Sequence, residues 1–194
     1  MKIEALTAEG VLLVEPKRMY SAGGFSCESY NSELLAKRGA DSVFLCERTE
    51  LRAASGTVTG LHYQRPPFAQ AHLIRVIRGA VFAVAVDMRQ GSATFGRSAS
   101  AELTAENNRQ LYSPLGFAFG YATLRPLTEI LCKTSLPHLA AHRGGIYWDD
   151  PALRIGWPIT AEAAVIAAED RSWPLFGDAE IPFTLNASDE DAAA

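Results

Sequence analysis

Between Gly56 and Thr134 the chain leaves no room for a helix, and that excludes most folds at once. Short runs of alternating or β-branched residues follow one another there, each closed by glycine or proline. Residues 71–77, 81–88, 97–103, 107–114, 115–124 and 128–134 all carry strand patterns. Alternation marks a strand with one face buried. The nearly continuous apolar run from Val81 to Met88 marks a central strand covered on both faces. Arg78-Gly79-Ala80 is predicted to be a tight hairpin turn. Many short strands at regular spacing, with no intervening helices, specify an all-β sandwich, jelly roll or small barrel and not a doubly wound α/β fold.

The flanks add detail. Residues 10–14 and 43–46 read as strands, 17–24 as a loop turning at Gly23-Gly24, and 47–56 as a polar connection. Phe25 to Tyr30 alternates, with one face expected to be buried. Asn31 is placed to cap a short helix over 32–38 that Gly39 ends. Thr160 is a helix cap before 161–168, so the fold has short peripheral and C-terminal helices. At 194 residues this is one domain, over 1–187, with an acidic, small-residue tail at 188–194 that is expected to fray.

Bulk charge narrows the function. A net charge of −4 predicts no nucleic-acid or anionic-membrane surface. The three cysteines, Cys27, Cys46 and Cys132, are odd in number and lack CxxC spacing, against both a disulfide framework and a zinc finger. A reducing, cytoplasmic setting follows. Residues 1–14 lack the apolar core of a signal peptide, and no run is long enough to span a membrane.

The chemically suggestive stretch is Gly56 to Gln64. It alternates small or polar with apolar residues and then presents His62 beside Tyr63. Gly60 removes a side chain just before, which permits close approach of another backbone or of a ligand. An imidazole on a strand lining a cavity is a candidate proton carrier, because its free pKa lies near ~6.5.

Several segments together resemble the dTDP-4-dehydrorhamnose 3,5-epimerase family. They are Glu28 to Asn31, Gly60 to Gln64, Arg75 to Gly79 with 81–87, Ser92 to Gly96, Ala105 to Asn107, Arg109 to Leu111, Gly116 to Ala118, Trp148 to Pro151 and Trp157-Pro158. The match runs in order over roughly residues 10–176. The resemblance implies a cupin-type jelly roll, a homodimer in which an N-terminal segment crosses to the partner's sheet, a sugar nucleotide as small-molecule partner, and no cofactor or metal. It implies that His62 is the general base that removes a proton next to the sugar's 4-keto group. Asp170, in Glu169-Asp170 where the family has a Lys-Asp pair, is implied to orient that base. A proton alpha to a ketone is weakly acidic, so its removal needs a placed base and a stabilised enolate. The remaining implied substrate contacts are Glu28, Thr59, Gln64, His72, Arg75, Phe119 and Cys132.

Four of these positions depart from the family's pattern. Thr59 stands where the family has arginine, His72 where it has lysine, Phe119 where it has a second histidine, and Cys132 where it has the acid tyrosine. Gly23 replaces a further arginine, and Cys46-Glu47-Arg48 replaces a Gln-Asp-Asn-like run. A thiol is shorter than a phenol and titrates lower, near ~8.5 against ~10. Tyr63, Tyr112 and Tyr121 are the alternative acids. With the usual tyrosine gone, epimerisation at one centre is expected over two. A cupin that has lost catalysis and binds a sugar or another small ligand is the alternative. A metal-dependent cupin built on His62 and His72 lacks the close His-x-His spacing, and His138 and His142 read as solvent-facing.

Overall fold

The computed structural model describes residues 1–185. The tail at 188–194 and the domain boundary at 187 lie outside the described residues. In chain order the elements are β1 (Lys2–Ala5), β2 (Leu12–Glu15), β3 (Arg18–Ser21), β4 (Gly24–Cys27), α1 (Ser32–Ala36), β5 (Cys46–Arg52), β6 (Thr57–Gln64), β7 (His72–Arg78) and β8 (Ala80–Asp87). They continue with β9 (Arg89–Gln90), β10 (Ser98–Thr104), β11 (Gln110–Ser113), β12 (Phe117–Thr123), β13 (Thr128–Thr134), β14 (Arg143–Gly145), β15 (Val165–Ile166), α2 (Ala168–Arg171) and β16 (Phe183–Thr184).

Two sheets make the body. One runs β1-β2-β11-β7-β13-β5, the other β10-β8-β12-β6-β14, with β15 added to β6. Ile74, Val76 and Ile130 of the first sheet meet Val81, Ala83, Ala85 and Phe117 of the second in a shared core. The opposite face of β8 sends Val84 and Val86 against Ile146, Leu153 and Phe183. This strand is covered on both sides, as its apolar run predicts, and each fully buried Val contributes about 1.5–3 kcal/mol. The jelly-roll expectation holds.

Four local expectations are corrected. Gly79 does not close a hairpin: β7 pairs with β11 and β13, while β8 pairs with β10 and β12, so Gly79 carries the chain from one sheet to the other. Residues 17–24 are not a loop but most of the hairpin of β3 and β4, and that hairpin leaves Tyr20 75% and Phe25 52% exposed, so neither face of it is buried. Of the strand expected over 43–46 only Cys46 is in one, whereas 47–52, read as part of a polar connection, follow it in β5. The helix expected over 161–168 is a turn, then β15, then the four-residue α2. Asn31 does cap α1, accepting from the Leu34 amide at 3.0 Å.

Candidate active site

Away from the shared core the sheets part around a cavity of about 900 Å³, lined by β5, β7 and β13 on one side and β6, β12, β14 and the Val165-to-Asp170 segment on the other. A break in register puts the histidine there. Opposite β12, Tyr121 pairs with Thr59 but Phe119 pairs with His62, so β6 carries one extra residue in between. Strict alternation from Thr59 would have turned Leu61 inward and His62 away. The bulge reverses this: Thr59 and His62 both line the cavity, while Leu61 is buried in the cluster behind. Gly60 makes the bulge possible. It sits at φ +98°, and a Cβ on it would come 2.6 Å from the Phe119 carbonyl oxygen and 2.8 Å from the Gly120 Cα.

Behind the imidazole stands Asp170, from α2. Its Oδ1 lies 2.6 Å from His62 Nε2, and its Oδ2 accepts from the Gly60 amide at 3.1 Å. Trp173 Nε1 donates to Oδ1 at 3.3 Å. Burial alone would raise this carboxyl, but the bonds from His62, Gly60 and Trp173 outweigh it and hold it below its usual range. The carboxylate takes the Nε2 proton, which leaves Nδ1 as the nitrogen with a lone pair. Gly145 lets Trp173 pack close, since a Cβ there would meet the indole at 2.6 Å. The His62 side chain remains 20% exposed against 3% for Asp170, so the base is reachable and its partner is sealed.

The departures lie on both walls: Thr59 and Phe119 on β6 and β12 beside His62, His72 and Cys132 on β7 and β13 facing it. His72 stacks on Phe119, with ring centroids 5.1 Å apart and planes 15° apart. Its Nδ1 is buried without a hydrogen-bond partner. Burial first, then Arg48 and His62, push this imidazole down to about 4, so it is neutral at physiological pH. Burial, helped by Glu50 and opposed by Arg48, pushes the Cys132 thiol up to about 12. Neither residue brings charge to the cavity.

Charge enters from β5 instead. Arg48 and Arg52 both pair with Glu50, Arg48 at 2.8 Å. Tyr121 donates to Glu50 at 2.7 Å and accepts from Arg52 Nε at 2.9 Å. Burial, then Glu50, push this phenol well above its ordinary range. Of the three alternative tyrosines, Tyr121 has its hydroxyl in this network. Tyr63 donates to the Glu180 carbonyl at 2.7 Å, and the Tyr112 hydroxyl pairs with Ser42 at 3.1 Å.

Some implied contacts fall elsewhere. Gln64 lines the cavity, but its amide braces loops by donating to the Phe68 and Pro137 carbonyls and accepting from the Leu139 amide. Arg75 points to the opposite face of β7, because His72 and Ile74 take the inward positions; it lines a separate hollow of about 330 Å³ with Arg18 and Phe25. Glu28 is exposed before α1, accepting from Asn31 at 2.6 Å. His138 lines the cavity, contrary to the solvent-facing expectation, and burial with Arg48, Arg143 and His62 lowers it. His142 packs on Phe68 at 4.3 Å.

Sequence reasoning missed Arg143. From β14, its Nη2 lies 2.6 Å from His62 Nε2, 3.2 Å from His62 Nδ1 and 3.1 Å from Asp170 Oδ1, while Nη1 donates to Glu169 at 2.7 Å. It also missed Arg48, Glu50 and Arg52. The alternation Cys46, Arg48, Glu50, Arg52 was the available signal, obscured because the inward side is polar. Among the described residues, no group of three or more His, Cys, Asp or Glu is arranged to hold a metal ion, and no helix is long and apolar enough to cross a membrane.

A double-sheet jelly roll enclosing a carboxylate-backed imidazole defines a class: a cupin-type protein with an imidazole–carboxylate pair in its cavity. Comparison with known proteins makes this specific. The family model described as dTDP-4-dehydrorhamnose 3,5-epimerase matches residues 5–178. The dTDP-4-dehydrorhamnose 3,5-epimerase of Sinorhizobium fredii is 40% identical over 94% of this chain and 93% of its own. The crystal structure of that enzyme from Bacillus anthracis, with TDP and PPi bound, is 37% identical, with a TM-score of 0.84 over 90% of this chain and 98% of that one. ChmJ, a 3'-monoepimerase from Streptomyces bikiniensis in complex with dTDP-quinovose, is 26% identical, with a TM-score of 0.85 over 96% of this chain and 95% of that one. The chain belongs to the dTDP-4-dehydrorhamnose 3,5-epimerase family of sugar-nucleotide epimerases.

Proposed function

We propose that this protein epimerises one centre of a 4-keto-6-deoxy sugar carried on a nucleotide such as dTDP. The observation that carries the reading is the 2.6 Å contact between His62 and Asp170 inside the cavity. His62 takes the proton from the carbon beside the ketone through Nδ1. Asp170 fixes the tautomer and favours the imidazolium that forms. The proton leaves carbon and returns to it with no net oxidation, so the chemistry calls for no redox cofactor.

Restriction to one centre rests on the opposite side of the cavity. Cys132 is short, buried and held protonated, which makes it a poor stand-in for a phenol. Tyr121 is the phenol that lines the same space and is the candidate to return a proton from the other face. His72 offers a neutral, unpartnered nitrogen to a substrate oxygen, and Thr59 and Phe119 shape the remaining space. ChmJ, a 3'-monoepimerase on the same fold, supports the one-centre reading. The exposed β3–β4 hairpin, with Tyr20 and Phe25 uncovered, is the surface through which a homodimer would form, and the exposed Glu28 that follows it would serve a substrate only across such a dimer. Three free cysteines suit a cytoplasmic setting.

The test is solvent deuterium uptake into dTDP-4-keto-6-deoxyglucose, with His62→Ala beside the wild type. Uptake in the wild type that is abolished in the variant supports the reading. No uptake into this or related keto-sugars would favour the alternative of a sugar-binding cupin without catalysis, which the uncharged His72–Phe119–Cys132 side would also suit.

A further inference from the structure

The reaction proposed above needs a cation at the enolate oxygen, and the residues the resemblance would assign to that task are gone. Thr59 and His72 stand where arginine and lysine are implied, and neither is charged. Arg48 and Arg52 line the cavity, but both are held by Glu50 on the β5 side. One guanidinium lies on the base itself, that of Arg143.

Arg143 Nη1 is occupied by Glu169 at 2.7 Å. Nη2 carries two hydrogens. One is directed to Asp170 Oδ1 at 3.1 Å. The other has no acceptor of its own. His62 Nε2 is 2.6 Å away, but that nitrogen already donates to Asp170 and cannot accept. Nη2 is also 3.2 Å from Nδ1, but beside the ring and well off that nitrogen's lone-pair direction, so the lone pair the reaction needs stays open. A substrate carbon placed for proton transfer sits at Nδ1, and the ketone oxygen is two bonds from that carbon. An oxygen there falls within reach of the unspent Nη2 hydrogen, and its arrival would draw the guanidinium off the ring.

We infer that Arg143 is a catalytic residue of this site: its Nη2 hydrogen-bonds the 4-keto oxygen as it becomes an enolate, in place of the lysine and arginine that this chain lacks. In the step, the C–H bond breaks toward His62 Nδ1, its electron pair forms the C=C bond, and the carbonyl π pair moves to the oxygen that Arg143 holds. Reprotonation at carbon from Tyr121 on the opposite face reverses the flow, and both groups are reset when His62 gives its proton to solvent and Tyr121 regains one. The inference rests on the proposed proton abstraction by His62. It also gives a reason for Glu169, where the resemblance implies lysine: an anion on Nη1 steadies the fork while Nη2 stays free to serve the substrate.

A purely structural ion pair with Glu169 would behave differently, and four variants separate the two roles. Deuterium exchange into dTDP-4-keto-6-deoxyglucose is measured for the wild type, Arg143→Gln, Arg143→Lys, Arg143→Ala and Glu169→Gln, with thermal melts to confirm folding. Removing a transition-state hydrogen-bond donor lowers kcat by about 10²–10³-fold. Arg143→Gln should show that loss with KM changed by only a few-fold. Arg143→Lys, which keeps the charge, should recover part of it, and Glu169→Gln, which leaves Nη2 in place but steadies the fork less, should lose clearly less than Arg143→Gln. Guanidinium ion at sub-denaturing concentration should restore exchange to Arg143→Ala. Arg143→Gln within a few-fold of wild type, or Arg143→Gln and Glu169→Gln failing equally with no rescue by guanidinium, would overturn the assignment while leaving His62 as base. A wild type that exchanges no proton would remove both proposals together.

Discussion

The two sides of the cavity have opposite characters. On the β6–β14–α2 side, imidazole, carboxylate and guanidinium crowd within about 3 Å of one another. Beyond them, His72 and Cys132 from the facing sheet, with Phe119 stacked on His72, form a buried patch with no charge of its own, next to the Arg48–Glu50–Arg52 cluster of β5. The first side can remove a proton. The second offers no acid in its ordinary protonation states, so return of a proton to the opposite face falls to Tyr121 and is expected to limit the rate.

Substitutions on the charged side should have the largest effect. Asp170→Asn keeps the shape but can present the wrong amide edge to Nε2, and we expect exchange to fall by about 10²–10⁴-fold. A loss below tenfold, measured as initial exchange rate, would mean that the carboxylate does not orient the base. Gly60→Ala attacks the same side through the backbone. Its Cβ would meet the Phe119 carbonyl oxygen at 2.6 Å, and alanine is strained at φ +98°. Denaturant unfolding should show a loss of about 3 kcal/mol, with exchange lost as the bulge that aims His62 is disturbed.

The uncharged side should show itself through pH. His72 has its folded pKa depressed to about 4 against an ordinary 6.5. The unfolded chain therefore binds more protons between these values, so the contribution is present above about pH 6.5 and is lost as pH falls through about 4. At ~1.36 kcal/mol per unit the full effect is about 3 kcal/mol, an upper figure because water can enter the cavity. In His72→Leu, the fall in Tm between pH 6.5 and 4 should shrink. Asp170 and Asp87 have depressed carboxyls, so their contributions are lost only at lower pH and do not obscure this window. The smallest effect is predicted for Cys132→Ser: exchange within about threefold of wild type and about 1–2 kcal/mol lost from burying a hydroxyl. A large drop in rate would restore the thiol as an acid.

Much of the framework was legible from residues alone. β13 spans the residues its alternation predicted, and β8 is buried on both faces as its apolar run required. The hidden parts share a physical cause. β5 faces a polar cavity, so its inward residues are Arg48, Glu50 and Arg52, and a charged inner face reads as a loop. β15 and α2 are two and four residues long, too short for any period to register. The bulge in β6 was visible only as Gly60. Plain alternation would have separated Thr59 and His62, and only the backbone shows that they share a side. His62 and Asp170 were paired through resemblance, since nothing local links residues this far apart in sequence. Arg143 carried no such signal.

The account predicts how many carbons of the substrate can exchange. Wild-type protein incubated with dTDP-4-keto-6-deoxyglucose in deuterium oxide should show, by NMR, label at a single carbon beside the ketone. Label at both neighbouring carbons at comparable rates would contradict restriction to one centre, and label at neither would show that the His62–Asp170 pair does not act as a base on this sugar.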